Sequence, residues 1–387
     1  MNALIPSGRP TVAEIDLNAL ASNYRELRKK IPKDAKILGV VKADAYGHGA
    51  IPISLELERL GVEYLGVAIS DEGIELRRGG VKAPILVLGG IFGSEDVDRV
   101  LKFNLAPVVF EKESLQRLSK AAERFRKKAK VHVKVDTGMG RLGVSLRFWS
   151  DFLRELKRFP GVEAEGILSH FAMTGDEGGV FSMNQWREFQ KAVALAREKG
   201  IVCKYLHMAN SGNLVAFPSY CGNLVRPGIM LYGSYPSPSL RNLIKLQPVM
   251  TLKTRIHFLK TVPPGTSVSY GGTFVTKRES VIATLPIGYA DGYRCQLSNR
   301  GEVLIRGKRA PVVGRVCMDL IMADVTHIAD VSAGDEVILL GKQGKERITV
   351  EEMAEKIGSI PYEVLCSIGK RVPRIYKGPR GRSREKS

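Results

Sequence analysis

The sequence has few of the features that would place it in a membrane or outside a cell. No apolar run reaches the ~18 residues that a membrane-spanning helix requires. The opening residues, MNALIPSGRP, lack a basic region followed by an apolar core, so we expect no secretory signal. The five cysteines show no C-x-x-C spacing and are odd in number, which disfavours a disulfide framework and a zinc site. These absences predict a reduced, cytoplasmic chain without a metal.

Acidic residues are also scarce relative to basic ones. The chain carries 59 lysines and arginines against 40 acidic residues, which gives a formal net charge of +19. Its last eleven residues, KGPRGRSREKS, have the composition of a solvated tail. Charge alone would allow a nucleic-acid partner, but no recognition module accompanies it. The excess favours a solvated surface that attracts anionic ligands such as phosphates and carboxylates.

The first part of the chain alternates short apolar runs with amphipathic segments. Between about residue 11 and residue 245, helix-like stretches such as 112–129 and 182–200 separate eight predicted strands. Eight strand–helix repeats indicate a parallel (β/α)8 barrel, a TIM-like fold. The predicted strands are ILGVV (37–41), YLGVAI (64–69), PILVLG (84–89), APVVF (106–110), VHVKVD (131–136), EAEGILSH (163–170), KYLHMA (204–209) and LVRPGIMLYG (224–233).

The pattern changes after residue 245. Runs rich in Val and Ile, separated by Gly and Pro, predict a mainly antiparallel β domain over residues 246–387, with residues 1–10 packing on it. Only EEMAEKIG (351–358) has a helical pattern in this part. The predicted fold class is therefore α/β, with an N-terminal barrel domain (11–245) and a C-terminal β domain.

Polar residues stand where the predicted barrel strands end, which is where barrel enzymes carry their catalytic groups. The first strand runs into Lys42, within VVKADAYGHG. Taken singly, each such residue has an ordinary structural explanation, such as a core histidine or a surface arginine, but their convergence at one mouth favours a site. The other residues of this kind are His132, Lys134, Asp136, His170, His207, Ser211 and Arg226, and Gly228 and Ile229 follow Arg226.

This set has the chemistry of a pyridoxal phosphate site. A partly desolvated lysine can bond the carbonyl of the cofactor. Backbone N–H groups after strands seven and eight, together with Ser211, can hold a phosphate. A cation near the ring, such as Arg226, tunes the electronics of the cofactor.

Ten sequence blocks, in order, resemble the bacterial alanine racemase family along nearly the whole chain. Together they are far more specific than any one of them. The blocks are RPTVAEIDLNAL, VVKADAYGHG, KVDTGMGRLG, SHFAMTGDE, HMANSG, VRPGIMLYG, VSYGGTF, IGYADGY, GRVCMD and RVPRIY.

The resemblance implies a role for each matched residue. It makes Lys42 the cofactor lysine and, with Tyr270 in VSYGG, one of two catalytic bases. It places Arg226 at the pyridine nitrogen with His207 behind it, and makes His170 the group that helps Tyr270 lose its proton. The resemblance also implies that Lys134 is carboxylated and holds Arg141 near the phenolate oxygen of the cofactor and the substrate carboxylate. The remaining implied roles are phosphate binding by Tyr46, Ser211, Gly228 and Ile229, and a substrate pocket lined by Met318 and Asp319 with Tyr289 at its entrance.

Elementary chemistry agrees with two bases. Racemisation removes the α-proton from one face and returns a proton to the other, so a lysine amine and a tyrosine phenolate on opposite faces suffice. The unperturbed pKa of tyrosine is ~10, so Tyr270 needs help to act as a base. A guanidinium, with a pKa above ~12, will not protonate the pyridine nitrogen, which favours simple proton return over decarboxylation or transamination.

Two positions depart from the pattern of the family. Many members have a tyrosine directly before RVPR, whereas this chain has Lys370 there. We expect Lys370 to contact the phosphate as a point charge, and the alternative is a solvent-facing lysine. Members often read GYADGYPR, whereas this chain reads GYADGYRCQ, so Arg294 stands one position earlier at the expected channel rim.

The predicted function is interconversion of L- and D-alanine, which supplies D-alanine for peptidoglycan in a bacterial cytoplasm. The resemblance implies a head-to-tail homodimer that shares its sites, with no nucleic-acid or membrane partner. Three alternatives remain: a serine or broad-specificity racemase on the same scaffold, a barrel decarboxylase, and a non-enzymatic cofactor carrier. Arg226 argues against the decarboxylase, and Tyr270 argues against the carrier.

Overall fold

The computed structural model describes residues 8–174 and 179–378. These residues form two compact units. The barrel unit comprises residues 21–45 and 49–246, and the β unit comprises residues 8–20, 46–48 and 247–378. Residues 1–7 and 379–387, which include most of the predicted solvated tail, lie outside the described residues. Residues 175–178, which include the last three residues of the SHFAMTGDE block, also lie outside them.

The strands of the described residues are numbered in chain order. They are β1 (Val12–Asp16), β2 (Lys36–Val40), β3 (Tyr64–Val67), β4 (Ile85–Val87), β5 (Ala106–Val109), β6 (Ala129–Asp136), β7 (Val144–Ser145), β8 (Val162–Leu168), β9 (Tyr205–His207), β10 (Leu224–Val225), β11 (Met250–Arg255), β12 (Phe258–Val262), β13 (Ser267–Val268), β14 (Phe274–Val275), β15 (Ser280–Leu285), β16 (Glu302–Ile305), β17 (Lys308–Pro311), β18 (Ile321–Asp324), β19 (Glu336–Gln343), β20 (Glu346–Ile348) and β21 (Arg374–Lys377).

The helices are numbered in the same way. They are α1 (Leu17–Lys30), α2 (Lys42–Gly47), α3 (Ala50–Arg59), α4 (Ser70–Arg78), α5 (Ser94–Lys102), α6 (Lys112–Arg124), α7 (Leu146–Leu156), α8 (Gly179–Glu198), α9 (Ser211–Ala216), α10 (Val350–Ile357) and α11 (Pro361–Ser367). Among the described residues, none of these helices combines the length and the apolar character needed to cross a membrane.

The barrel unit is built on a parallel sheet with the strand order β10-β2-β3-β4-β5-β6-β8-β9. Its two edges meet just beyond β9 and β10, where the Arg226 N–H donates to the Ala209 carbonyl at 3.0 Å and a parallel bridge joins Asn210 to Arg226. The sheet therefore closes almost completely, and the predicted (β/α)8 barrel is confirmed. The central strands are buried along their whole length, as β3 and β5 are, because helices cover the outer face.

The helices pack on the barrel through apolar stripes. In α6, Leu115, Leu118, Ala121 and Ala122 are buried at spacings of three and four residues, so one face of the helix lies on the strands. The covered barrel holds the carboxyl ends of its strands at one edge, which is the edge that carries the candidate site.

The first strand does not belong to the barrel. β1 pairs antiparallel with β11, with Ala13 opposite Leu252, and parallel with β21, with Ala13 opposite Arg374. The barrel domain was predicted to begin at residue 11, whereas residues 8–20 lie in the β unit and the barrel unit begins at residue 21. The difference arises because the partners of β1 lie more than 230 residues later in the chain, where no local pattern can indicate them.

The β unit is mainly antiparallel, as predicted. Its largest sheet has the strand order β17-β16-β19-β11-β1-β21, and a second sheet has the order β12-β15-β18. The second sheet packs on a small apolar core that includes Val262, Val268, Ile282 and Val313. The predicted helix at 351–358 is confirmed as α10, which the Thr349 side chain caps by accepting from the Glu352 N–H.

A buried carboxylate joins distant parts of the β unit. Asp291 has a fully buried side chain and accepts from both terminal nitrogens of Arg9, at 2.7 and 2.5 Å. Its second oxygen also accepts the Gly288 N–H at 3.0 Å. The carboxylate therefore fixes the N-terminal segment of the unit to the turn at 288–291.

We expect Asp291→Asn to lower the free energy of unfolding by about 3 kcal/mol, because it leaves buried donors without an ionised acceptor. Urea unfolding followed by circular dichroism measures the loss. The matched control is Glu363→Gln, whose carboxylate pairs with Arg294 at 3.0 Å but is 53% exposed, so its removal should cost about 1 kcal/mol or less. Equal losses in the two variants would contradict the structural role of Asp291.

Candidate active site

Lys42 follows strand β2 and begins the short element α2, whose backbone forms a left-handed turn. Ala43, Asp44, Ala45 and Tyr46 have φ between 52° and 53°, and Gly47 has φ 79°. Left-handed backbone costs L-residues roughly 1–2 kcal/mol each, so four non-glycine residues store several kcal/mol of strain. Such strain persists only where neighbouring groups fix the backbone.

Side-chain carboxylates supply part of that fixation. Glu72, in the first turn of α4, accepts the Ala43 N–H at 2.7 Å with one oxygen and the Ala68 N–H at 2.6 Å with the other. Asp44 accepts the Ala50 N–H at 2.7 Å. On the strand side, the Val41 N–H donates to the Gly66 carbonyl at 2.8 Å. Half-buried Lys42 therefore stands between two neighbours whose peptide groups are anchored.

Arg226, just beyond β10, lies at the centre of a buried polar network. Only 5% of the residue is exposed. Its guanidinium donates to Nδ1 of His207 and to Nδ1 of His170, each at 2.9 Å, and to the carbonyls of Ser169 and Met208 at 2.8 and 3.1 Å. Its partners are thus two imidazoles and two carbonyls, which orient the guanidinium without neutralising it.

These contacts fix the protonation of the histidines. A guanidinium has only donors, so Nδ1 of His207 must be an acceptor, and its proton is on Nε2. That nitrogen lies 2.7 Å from Nδ1 of His132, which is therefore also an acceptor. Nε2 of His132 then carries a proton and faces the Glu165 carboxylate at 3.9 Å. A chain of oriented, neutral imidazoles thus runs from Arg226 through the barrel interior.

Burial keeps these imidazoles neutral. It lowers the pKa of His132 to about 3, and it lowers the pKa of His170 and of His207 well below the ordinary range. The nearby positive charge of Arg226 lowers all three further. Burial also lowers the pKa of Arg226 itself to about 9, which leaves it charged at neutral pH.

A second cation lies close to this network. Burial, reinforced by the positive charges of Arg226 and Arg141, lowers the pKa of Lys134 on β6 to about 8. Lys42 acts in the same direction, and Asp136 opposes them. The mouth of the barrel therefore holds an excess of positive charge that anions would relieve.

A candidate phosphate site lies beside this cluster. The Gly228 N–H donates to Ser211 Oγ at 2.7 Å, which ties the turn before Ile229 to the first residue of α9. Asn210 caps that helix by accepting from the N–H groups of Gly212 and Asn213. A lysine at a strand end, a buried guanidinium and neighbouring cations fit pyridoxal phosphate, whose phosphate is anionic and whose carbonyl bonds an amine.

Other predicted residues converge in the β unit. Ser269 Oγ donates to the Arg315 carbonyl at 2.7 Å, and the N–H groups of Tyr289 and Ala290 donate to the carbonyls of Cys317 and Met318. The turns at 269–272 and 288–291 are thus joined by the 315–319 segment, which brings together the predicted residues Tyr270, Tyr289, Met318 and Asp319. Tyr270 is 73% exposed.

Sequence reasoning missed a positioning group in this segment. Arg371 donates to the Asp319 carboxylate at 2.7 Å and lies 3.6 Å from the buried Asp291. Its neighbour Lys370 is exposed, and its contact with the phosphate stays a prediction. Arg294 pairs with Glu363. The only signal for Arg371 was its place in the RVPRIY block, which does not indicate a partner.

Tyr46 packs within the β unit. The side chain is buried, and its ring lies 5.9 Å from the ring of Tyr362, measured between centroids. The Arg374 side chain donates to the carbonyl of Gly47 at 3.0 Å. The predicted contact between Tyr46 and the phosphate is neither supported nor opposed by these contacts and stays a prediction.

A parallel barrel with a lysine and a buried arginine at its strand ends, followed by an antiparallel β domain, defines the barrel class of pyridoxal phosphate enzymes. Residues 15–236 match the family model of the alanine racemase N-terminal domain, and residues 249–376 match that of the C-terminal domain. An alanine racemase from Geobacter sulfurreducens is 48% identical over 380 residues, covering 97% of this chain and 99% of that protein.

Solved structures agree. The alanine racemase from Bacillus anthracis with bound L-Ala-P has a TM-score of 0.91 at 38% identity, with 96% of both chains covered. The alanine racemase from Bartonella henselae with covalently bound pyridoxal phosphate has a TM-score of 0.83 at 30% identity, covering 95% of this chain and 99% of that one. The chain therefore belongs to the alanine racemase family.

The buried neutral histidines should make stability fall in acid. The unfolded chain takes up protons at the ordinary pKa near 6.5, whereas the folded chain does not, so the free energy of unfolding decreases as the pH drops through that value. Three such groups should cost about 4 kcal/mol between about pH 7.5 and pH 5.5. Urea unfolding across this range, with the cofactor in excess, measures the slope. His132→Asn should remove about a third of it, and an unchanged slope would contradict the assignment.

Proposed function

We propose that this protein interconverts L- and D-alanine with Lys42 and Tyr270 as its two bases. The observation that carries the proposal is the environment of Arg226, a buried guanidinium whose described partners are imidazoles and carbonyls. If it faced the ring nitrogen of bound pyridoxal phosphate, its positive charge would favour simple return of a proton over reactions that hold negative charge on the ring. The family relationship selects alanine over the serine or broad-specificity alternative and over a decarboxylase or carrier.

Pyridoxal phosphate, when bound, supplies a carbonyl that links to amines and a conjugated ring that weakens the bond to the α-hydrogen. Ser211, with the N–H groups around Gly228 and Ile229, would hold its phosphate. Arg226 would face the ring nitrogen, and His207 and His132 would keep Arg226 in that direction. Lys42 would bond the cofactor between turnovers.

The proton transfers then belong to two side chains. Nζ of Lys42 holds the proton on one face of the substrate, and the phenolic oxygen of Tyr270 holds it on the other. His170, with its proton on Nε2, is the proposed partner that helps Tyr270 ionise. Arg141, in the cation cluster with Lys134, would bind the substrate carboxylate, and Met318, Asp319 and Tyr289 would line the approach.

The two bases are proposed to come from different chains. Lys42 belongs to the barrel unit, whereas Tyr270 belongs to the β unit and exposes its ring. Several large apolar side chains of the β unit are also exposed, which is typical of a surface that meets a partner. They include Val275, Tyr289, Met318 and Leu320. A head-to-tail homodimer would place Lys42 of one protomer and Tyr270 of the other in each of two equivalent sites. We place this dimer in the bacterial cytoplasm, where its D-alanine would enter peptidoglycan.

Exchange of the α-proton in heavy water tests the assignment of the bases. The wild-type enzyme should incorporate deuterium into both enantiomers of alanine. Tyr270→Phe should exchange one enantiomer only, without inversion, and should racemise roughly 100-fold or more slowly, since one face has lost its base. Lys42→Ala should abolish both exchange and the covalent bond to the cofactor. Racemisation by Lys42→Ala at the wild-type rate would rule out the mechanism.

Mixing two inactive variants tests the shared site. In a hybrid of Lys42→Ala and Tyr270→Ala chains, one site inherits both lesions and the other inherits neither. With random pairing, a refolded equal mixture should recover about a quarter of the wild-type activity. A tagged pull-down establishes that hybrids have formed. Hybrids without activity would show that both bases come from one chain.

Carboxylation of Lys134 is a third expectation. With a pKa of about 8, about one Lys134 side chain in ten is a neutral amine at pH 7, against about one in three thousand at the ordinary value of 10.5. The amine can then add carbon dioxide, losing a proton to give an anionic carbamate that Arg141 and Arg226 would stabilise. Carbon-13 NMR of the enzyme in labelled bicarbonate should show one carbamate signal that Lys134→Ala removes. A signal that survives this substitution, or none in the wild type, contradicts the expectation.

A further inference from the structure

Lys42 depends on a turn whose backbone conformation is unfavourable by itself. The residue directly after the lysine, Ala43, already has φ 52°, and the next three residues continue in the same left-handed conformation. None of these four residues is glycine, so the local sequence does not favour this conformation. Groups outside the turn must hold it, and the direction of the Lys42 side chain depends on them.

The contacts on the two sides of Lys42 differ in kind. Before it, the Tyr232 hydroxyl donates to the Val40 carbonyl at 2.9 Å, and the Val41 N–H donates to the neighbouring strand. These contacts continue the barrel sheet. After it, the Ala43 N–H is bound by the Glu72 carboxylate at 2.7 Å, which is a side chain from another element of the fold.

Glu72 is well placed to resist movement of that turn. Its other oxygen accepts the Ala68 N–H at 2.6 Å, in the segment that leads from β3 into α4. One carboxylate therefore ties the turn after β2 to the loop after β3, and both of its oxygens are used. A glutamine cannot replace it, because its amide nitrogen would meet a second N–H at one of the two contacts.

We propose that Glu72 is a positioning residue for Lys42. By holding the Ala43 N–H, it keeps the left-handed turn formed and the lysine amine directed to the place where it bonds the cofactor and exchanges the α-proton. This inference rests on the proposed role of Lys42. Small displacements of a reacting group cost orders of magnitude in rate, so the loss of one anchor should affect bond formation and turnover more than substrate binding.

The first measurement needs no catalysis. When pyridoxal phosphate is mixed with cofactor-free Glu72→Gln enzyme, covalent bonding to Lys42, followed by absorbance and borohydride trapping, should be about tenfold slower than in the wild type. In the loaded enzyme, kcat should fall by a similar factor while KM for alanine stays within about twofold. The matched control is Glu75→Gln, an exposed carboxylate one turn along α4, which should behave as the wild type.

A second substitution separates positioning from general damage to α4. Glycine adopts left-handed backbone without strain, so Ala43→Gly should restore most of the bonding rate in the Glu72→Gln background. Damage confined to the start of α4 would not respond to a change at residue 43. Absence of rescue, with both proteins folded by circular dichroism, would therefore overturn the proposal.

Hydrogen exchange supplies a readout even where Glu72→Gln folds poorly. In the wild type, the exposed Ala43 amide should exchange about 100-fold more slowly than an unprotected amide, because its hydrogen is held by Glu72. Exchange of the Ala43 amide at the rate of an unprotected amide would contradict the inference. Failure of the proposed function is distinguishable, since it would appear as a Lys42→Ala enzyme that still bonds cofactor and racemises alanine. A normal Glu72→Gln enzyme beside an inactive Lys42→Ala enzyme would refute only the role of Glu72.

Discussion

The candidate site depends on one buried positive charge that is oriented without being neutralised. Arg226 donates to imidazoles and carbonyls, so its guanidinium keeps its full charge while its direction is fixed. The cost of burying such a charge is usually offset by a carboxylate. Here it is offset by neutral acceptors, and the histidines must stay unprotonated for the arrangement to hold. The low pKa values of His132, His170 and His207 are thus part of how the barrel tolerates Arg226.

The same charge shapes the surroundings of Lys134 and Arg141. Cations crowded at a strand mouth repel one another, and the repulsion falls when an anion enters. Any phosphate, carboxylate or carbamate that binds there therefore stabilises the folded protein as well as filling the site. Binding of the ligands and stability of the barrel are therefore coupled through electrostatics. At this position, the excess of positive charge in the chain serves to attract anionic ligands.

Much of this could be predicted from the sequence, because the relevant signals are local. The eight apolar runs predict the barrel. Lys42 follows the first of them, and His207 and Arg226 lie within the last two. What could not be predicted depends on partners distant in the chain. Glu72 contacts Ala43 across 29 residues. The contact of His132 with His207 depends on the registers of β6, β8 and β9 with one another. Nothing in ADAY signals left-handed backbone, since that conformation is imposed from outside the segment. The barrel domain was predicted to begin at residue 11 for the same reason, because nothing in the sequence of β1 indicates that its sheet neighbours are β11 and β21.

The pairing of β1 also has a consequence for how the chain is made. Its sheet partners, β11 and β21, emerge from the ribosome only after the whole barrel has been synthesised. Domains tend to fold as they emerge from the ribosome, so the barrel unit can close before the hydrogen-bond partners of β1 have been synthesised. An unpaired strand exposes N–H and carbonyl groups that can pair with a strand of another chain. Glu14 of β1 binds Lys253 of β11 and Lys377 of β21. These ion pairs favour the correct partner strands over a strand of another chain. Correct assembly of this sheet therefore depends on β1, which is translated before its partners and gains their hydrogen bonds only after the barrel has been synthesised.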